Sequence, residues 1–403
     1  MLLGFLKTGL QMPKSSFFIV TIFFFAFYEV YYFLLTNFLG QIIPFNLDII
    51  AVQGVLYFFT GSVLFFGSFL IQKYNKLKII YFCSFLNCLF SVLFFGNLFE
   101  GFRLMTLFLL LLTVSLGMLT TLSVFGSLTI PEERGRVGGL IGFFVFLLFF
   151  IVNYSIGSTL DFTDSVWLCL SINLLPFVGL LFKNFRVKLI SIRKQLVNYH
   201  EKRVFVLYFI PWIVFSLINS TLATNTSSII RQQISSSLLF SLLSVQIAGV
   251  VCGVLLGGFI ADLLGRRFSL VFSLTFFGFC TALVGLFTND FVFIVVYGAS
   301  GLTWGILFVL YIFVVWGDLS SQGTGIRIYS IGLISYFLSL GVGSVINVSM
   351  PIFQSALLSV MIIFILNIPI IFAPELLPSY ILEKMRMKSH MGAVKKLQKK
   401  NQG

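Results

Sequence analysis

The sequence predicts an all-α membrane protein: twelve transmembrane helices in two pseudo-symmetric six-helix bundles. Three observations lead there. Mean hydropathy is +1.06 and 52 of the 403 residues are Phe, so no surface remains polar enough to face water throughout. The apolar runs have spanning length, since about 20 residues at a rise of about 1.5 Å cross a hydrocarbon core of ~30 Å. Charge is placed one-sidedly: of 26 Lys and Arg, all but Arg103 and Arg231 fall on the side that also holds both termini. That bias is the positive-inside pattern, which puts both termini in the cytoplasm, and the expected location is the plasma membrane.

In order, the spans are 17–36, 49–71, 78–99, 104–129, 137–157, 164–182, 204–224, 237–261, 268–287, 291–313, 328–349 and 353–373. They divide the chain into a first bundle (1–182), a linker (183–203), a second bundle (204–373) and a basic tail (374–403). In the linker, Phe185, Leu189, Ile192, Leu196 and Tyr199 recur at helical spacing among basic residues. A helix lying on the inner leaflet, or a flexible basic linker, accounts for that pattern. The opening MLLGFLKTGLQMPK has no small-residue cleavage site, so span 1 is expected to be retained. The net charge of +13 reads as topology and attraction to anionic lipid, not as nucleic-acid binding.

Several residues stand out because hydrocarbon makes them costly. Glu29 is the only ionisable residue well inside a span, where insertion scales put a central Asp at roughly +2.5 to +3.5 kcal/mol and a Glu at a comparable cost. A carboxylic acid so placed suits a proton carrier, with Tyr28, Tyr31 and Tyr32 beside it. The plainer account is a Glu hydrogen-bonded to those tyrosines or set nearer the outer interface. Span 7 is polar in its outer half, from Asn219 through Ser220, Thr221, Thr224, Asn225 and Thr226 to Ser228. Those groups bind a hydroxylated solute or bend an outer gate, or else the span ends early and they are wet. Trp304, with Tyr311 seven residues on, forms an aromatic wall to a solute or faces lipid. Gln53, Asn87, Asn153, Asn173, Gln246, Asn347 and Asn367 each need a partner inside the bundle. Gly249, Gly253 and Gly257 give span 8 one smooth face; Gly301/Gly305 and Gly138/Gly142 repeat the pattern on spans 10 and 5.

The halves repeat weakly. GSFLIQKYNKLK (67–78), after span 2, aligns without gaps to GGFIADLLGRRF (257–268), after span 8, with Gln72 at the position of Asp262. Such a repeat implies a solute path between two related halves. The loop G-x-x-x-x-D-x-x-G-R-R resembles the signature of the major facilitator superfamily of secondary transporters, and PEERGR (131–136) resembles that superfamily's second cytoplasmic signature. FAFYE (25–29) and APELLPSYILEKM (373–385) are similar, more weakly, to stretches of its sugar-porter and metabolite:proton symporter branches. The PESPR motif after helix 6 is absent, and helix 7 reads LINSTLATNTSS.

The resemblance implies a conformational gate built from Asp262, Arg266, Arg267, Gly257, Arg134, Arg136 and Arg327. Asp262 ends its own helix, where the dipole disfavours a carboxylate, so it should pair with Arg266 or with the N-terminus of span 5 near Arg136. The alternative is a topology anchor. Asp318 and Arg327 are either a gate pair or ordinary loop charges. The resulting expectation is a monomeric transporter of a sugar or organic acid, driven by protons, with Glu29, Tyr28, Tyr32, Asn219, Asn225, Trp304 and Gln246 near the solute. Export of amphipathic or cationic compounds is the alternative, and a transporter-like nutrient sensor a third reading. No cofactor is expected: there is no GxxxxGK[ST] loop, the five cysteines lie within spans without a CxxC pair, and no set of nucleophile, base and metal ligands converges.

Overall fold

A computed structural model of the protein describes residues 12, 14–33, 49–95, 103–159, 167, 170–176, 202–233, 236–287, 290–320, 325–345, 352–378 and 383. Nearly all of them are helical, and among them there is no strand. In chain order the helices are α1 (Lys14–Phe33), α2 (Ile49–Lys73), α3 (Lys76–Phe95), α4 (Arg103–Leu128), α5 (Arg134–Thr159) and α6, described over 170–176. The second set is α7 (Lys202–Gln233), α8 (Ser236–Leu264), α9 (Arg266–Leu286), α10, α11 (Gly325–Val345) and α12 (Ile352–Phe372). Helix α10 comprises Asp290–Phe308, a wide π-helical stretch Val309–Val315 and a last turn Trp316–Leu319. Among the described residues, nine helices are long and apolar enough to cross a membrane, and α1 adds a shorter apolar stretch, Ser16–Tyr32. Most of the 183–203 linker and nearly all of the tail from 379 lie outside the described residues.

Two helices differ from expectation. Helix α7 runs on to Gln233 instead of ending near 224, so the polar run from Asn219 continues a helix. Helix α10 runs to Leu319 instead of ending near 313, which makes Asp318 a helix residue and not a loop charge.

The packing follows the sequence repeat. Helix α8 lies against α10 and α5, and α11 lies against α2 and α7. The first set of six helices therefore meets the second along two seams, α5/α8 and α2/α11. A shift of six helices converts α2 into α8 and α5 into α11, so the seams are pseudo-symmetric counterparts. In-span amides fasten the outer helices within each set. Asn87 Nδ2 donates to Asn173 Oδ1 at 2.5 Å, and Asn173 Nδ2 donates to Ser91 Oγ at 2.9 Å, tying α3 to α6. Asn367 Nδ2 donates to Thr275 Oγ1 at 3.3 Å, tying α12 to α9. These polar groups serve helix association, where each bond contributes about 0.6–2 kcal/mol.

Glycine sets how closely the helices approach. A Cβ on Gly249 or Gly253 would collide with backbone carbonyls of α10 at Gly298 and Leu302, and one on Gly257 would come within 2.8 Å of Ile306 Cα. That stripe seats α8 on α10 inside the second half, so Gly257 does not face the other half. Its neighbour does: Gly258 packs against Gly135 and Gly139 of α5, backbone to backbone. Neighbouring residues differ by about 100° round a helix, so one smooth stripe faces α10 and the adjacent glycine faces α5.

Gly258→Val should push α8 off α5 and destabilise by about 1–3 kcal/mol, whereas Gly61→Ala, whose Cβ meets only the flexible end of Leu338 at 3.3 Å, should be near neutral. Thermal unfolding of the two purified variants in one detergent tests this; equal midpoints would refute the backbone contact.

Candidate functional site

Two layers of residues join the halves: a buried charge cluster at the basic end, and an aromatic layer deeper in the bundle.

The cluster begins with chain geometry. Helix α4 stops at Leu128, and Pro131, which has no N–H, opens a turn over 131–133 before α5 starts at Arg134. The first N–H groups of α5 have no partner within the helix and carry the positive end of its dipole. Asp262, from the end of α8, fills that position: Gly135 N and Arg136 N donate to its carboxylate at 3.0 and 2.8 Å, and Arg136 Nε donates at 3.2 Å. Gly135 is needed there, because a Cβ would strike the Asp262 carboxylate. Both partners considered for Asp262 are in place, since Arg266 Nη1 also lies 3.0 Å from Oδ1.

Gly265 makes the return of Arg266 feasible. Its φ of +98° is the left-handed region that favours glycine, and it turns the chain sharply from α8 into α9. Arg266 then lies fully buried, donating to Asp318 Oδ2 at 2.9 Å, to the Ala261 carbonyl at 2.7 Å and to the Pro131 carbonyl at 2.5 Å. Arg134 approaches Asp318 from the first half and donates to the Thr129 hydroxyl at 3.1 Å and carbonyl at 2.9 Å. The result is a chain of alternating charge, Arg136–Asp262–Arg266–Asp318–Arg134, that crosses between the halves. Asp318, read in the sequence as a gate partner of Arg327 or a loop charge, is its second acid.

Two expected gate residues do other work. Arg267 donates to the Ile371 and Ala373 carbonyls at 3.5 and 3.4 Å, binding α9 to the end of α12 within one half. Glu375, which the sequence reading did not single out, caps α9 from the same direction, accepting from Arg266 N at 2.7 Å and Arg267 N at 3.0 Å. Arg327 is exposed and sits outside the cluster; its guanidinium lies 5.1 Å from the ring centre of Phe69 on α2. It still joins the halves, but along the α2/α11 seam, beside a bond from Ser330 Oγ to the Leu64 carbonyl at 2.8 Å.

Deeper in, α1 supplies the aromatic layer. Tyr28 meets Phe146 and Phe149 of α5 at 5.5 and 5.7 Å and Phe308 of α10 at 6.4 Å. Tyr32 meets Phe149 at 4.7 Å, Phe24 meets Phe313 at 5.2 Å, and Tyr31 meets Phe337 of α11 at 5.2 Å. Glu29 is wholly buried, about 100° round the helix from Tyr28. Tyr57 of α2 and Tyr336 of α11 lie within electrostatic range of Tyr28 and Tyr31, and Gln53 donates to the Tyr57 hydroxyl at 3.2 Å. Tyr28, Tyr31, Tyr57 and Tyr336 thus lie within electrostatic range of one another across α1, α2 and α11, with Glu29 and Tyr32 beside the first two on α1. Tyr57 and Tyr336 were missed in the sequence; their signal was a hydroxyl inside an apolar span, which needs a partner.

Trp304 is half-buried, stacked on Phe308 at 5.1 Å and edge-on to Phe146 of α5 at 6.2 Å. It shares no wall with Tyr311, which stacks on Trp212 at 4.5 Å. Seven residues return to the same face of an α-helix, but the π-helical stretch from Val309 widens the turn and rotates Tyr311 toward α7. Asn219 and Gln246 are half-buried; Ser220 bonds to the Ser339 carbonyl of α11 at 2.9 Å. The side chain of Asn225 lies outside the described residues.

No family model and no curated protein matches the sequence. Solved structures do match the shape. FucP, a major facilitator superfamily transporter in an outward conformation, aligns with a TM-score of 0.68 at 12% identity, over 90% of this chain and 100% of its own. The proton:xylose symporter XylE, bound to 6-bromo-6-deoxy-D-glucose, aligns at 0.65 and 10%, over 90% and 96%. A variant of the E. coli fucose:proton symporter FucP aligns at 0.67 and 13%, over 89% and 98%. This is the major facilitator fold.

Within the major facilitator fold, the charge cluster ties α5 to α8 and to the end of α10, because these helices cannot part there without separating two carboxylates from three guanidinium groups. Removing one partner of a buried ion pair costs about 3–5 kcal/mol. Asp318→Asn should therefore open that end or lower stability by that order, while Arg327→Ala, which loses a cation–π contact of about 0.5–1 kcal/mol, should do far less. Spin-label distances between Lys73 and Phe268 report the opening; an unchanged distance and an unchanged melting point in Asp318→Asn would count against the cluster as a closure.

Proposed function

We infer that the protein is a secondary transporter that carries a small organic solute between its two halves by alternating access. The observation that carries this reading is the inter-half charge cluster at one end of a major facilitator fold. Such a closure can exist in one access state and must break in the other. The halves are taken as 1–182 and 204–373, with both termini in the cytoplasm of a plasma membrane and the charge cluster as the cytoplasmic gate; the one-sided distribution of Lys and Arg supports that orientation.

Coupling is assigned to protons through Glu29. Its full burial supports this, since a carboxyl so placed is held most cheaply when it can bind and release a proton as hydration changes. The solute is assigned to the sugar or organic-acid class. Tyrosine hydroxyls and Gln53 offer hydrogen bonds, ring faces offer apolar contact, and the neighbours named above include symporters of fucose and xylose. Trp304 and Phe308 favour a second reading, export of an amphipathic cation, in which Glu29 would meet the charge.

Purified protein in vesicles with an imposed pH gradient should accumulate one member of a panel of sugars, organic acids and dyes. Glu29→Gln should abolish gradient-driven accumulation yet retain solute exchange. Accumulation that survives unchanged removes Glu29 from coupling, and movement of dyes only, against the inward proton gradient, selects export.

A further inference from the structure

A second feature lies on the lipid-facing side of the α2/α11 seam and does not depend on the transport reading. Between α2, α7 and α11 runs an apolar cleft of ≈ 420 Å³, lined by Phe65, Phe209, Ile213, Ile334, Leu338 and Val342 among others. Its volume falls in the range of about 300–1,000 Å³ typical of small-ligand sites. It is open sideways: Phe65, Ile331 and Leu338 are 48%, 38% and 37% exposed. The two hydroxyls in its wall are already used, Ser335 donating to the Gly332 carbonyl at 2.8 Å and Ser339 to the Ser335 carbonyl at 2.7 Å. The cleft therefore has no free hydroxyl donor for a polar solute, is otherwise apolar, and suits a hydrocarbon chain.

What distinguishes it from an ordinary lipid-facing groove is the charge below it. Arg327 stands one turn before Ile331 on the same face of α11, and its guanidinium rests flat over Phe69, one turn from Phe65 on α2. The bond between Ser330 and the Leu64 carbonyl sets α2 and α11 level, and the bond from Trp212 Nε1 to the Gly332 carbonyl sets α7 and α11 level. Counting down from those bonds at about 1.5 Å per residue brings Lys73 and Lys202 to a common depth, roughly five to six residues (about 8–9 Å) below the Arg327 backbone and within reach of its long side chain. All three are exposed, and none forms an ion pair with another described residue. From Arg327 up to Leu338 the rise is ~16 Å, about half of a ~30 Å hydrocarbon core, which is the depth of one leaflet.

We propose that this cleft binds one anionic phospholipid, its acyl chain along Phe65, Ile334 and Leu338 and its phosphate held by Arg327, Lys73 and Lys202. Basic pockets between transmembrane helices on the positive side are suited to such headgroups. The lipid would bridge α2 of one half to α7 and α11 of the other, on the seam that has no buried ion pair among the described residues.

The test uses the full chain in nanodiscs of equal phosphatidylglycerol and phosphatidylcholine, with lipid retained after detergent extraction counted by native mass spectrometry. Wild type should retain phosphatidylglycerol in preference. Arg327→Ala with Lys73→Ala should lower that preference roughly twenty-five-fold, about fivefold per cation removed. Leu338→Trp, which fills the cleft, should lose retention of both lipids, and Lys78→Ala, on α3, should change neither. Preference that persists in the double variant, or retention that persists in Leu338→Trp, overturns the proposal.

Discussion

The carboxylate of Asp262 is the constraint on which the joined halves depend. It ends one helix, where its charge is disfavoured, and completes the N-terminus of another, where it is favoured. Three donors from the first turn of α5 converge on it, together with Arg266 from its own half. Burial makes each charge dependent on the next. Asp262 needs Arg266, Arg266 needs Asp318, and Asp318 in turn neutralises Arg134. Desolvation would make any one of these groups unfavourable alone, so the cluster forms as a unit or separates as one.

Backbone geometry brings the unit together. Gly135 and Gly258 allow α5 and α8 to touch without intervening side chains, and Gly265 turns the chain so that Arg266 points back into the bundle. Glu375 then fixes that turn by capping α9 from the far end of the chain. Above this level the bundle is filled by rings. Trp304 and Phe308, before the π-helical stretch of α10, face α5 and α1, and within that stretch Phe313 turns to α1 and Tyr311 to α7.

Much of this was legible in the sequence, for identifiable reasons. Spans and their number follow from hydropathy, because hydrocarbon admits few alternatives to helices. Charges such as Asp262 and Arg266 stand out because their cost in that setting demands partners. Their relation to α5 could be framed from the dipole alone. What was not legible depends on phase and on distance along the chain. Nothing in VLYIFVV signals a wide turn, because a uniformly apolar stretch has no periodicity to break. Gly257 and Gly258 are adjacent, and only packing reveals which of them faces the other half. Asp318 reaches Arg134 across 184 positions, and Arg327, nearer to it in the chain, turns instead to Phe69.

The two seams, equivalent by the repeat, are chemically unlike. Where α8 carries Asp262, α2 carries Gln72, so of the two seams only α5/α8 has a buried ionic contact among the described residues. Along α2/α11 the joining groups are one exposed guanidinium on a ring and one hydroxyl on a carbonyl. Ions in the surrounding medium reach the second seam and are excluded from the first. The first resists stretching until it fails abruptly, as a bolt does; the second yields gradually, as a hinge does. Were such a bundle to open at its ionic seam, the unequal fastening would set the axis of rotation toward α2 and α11.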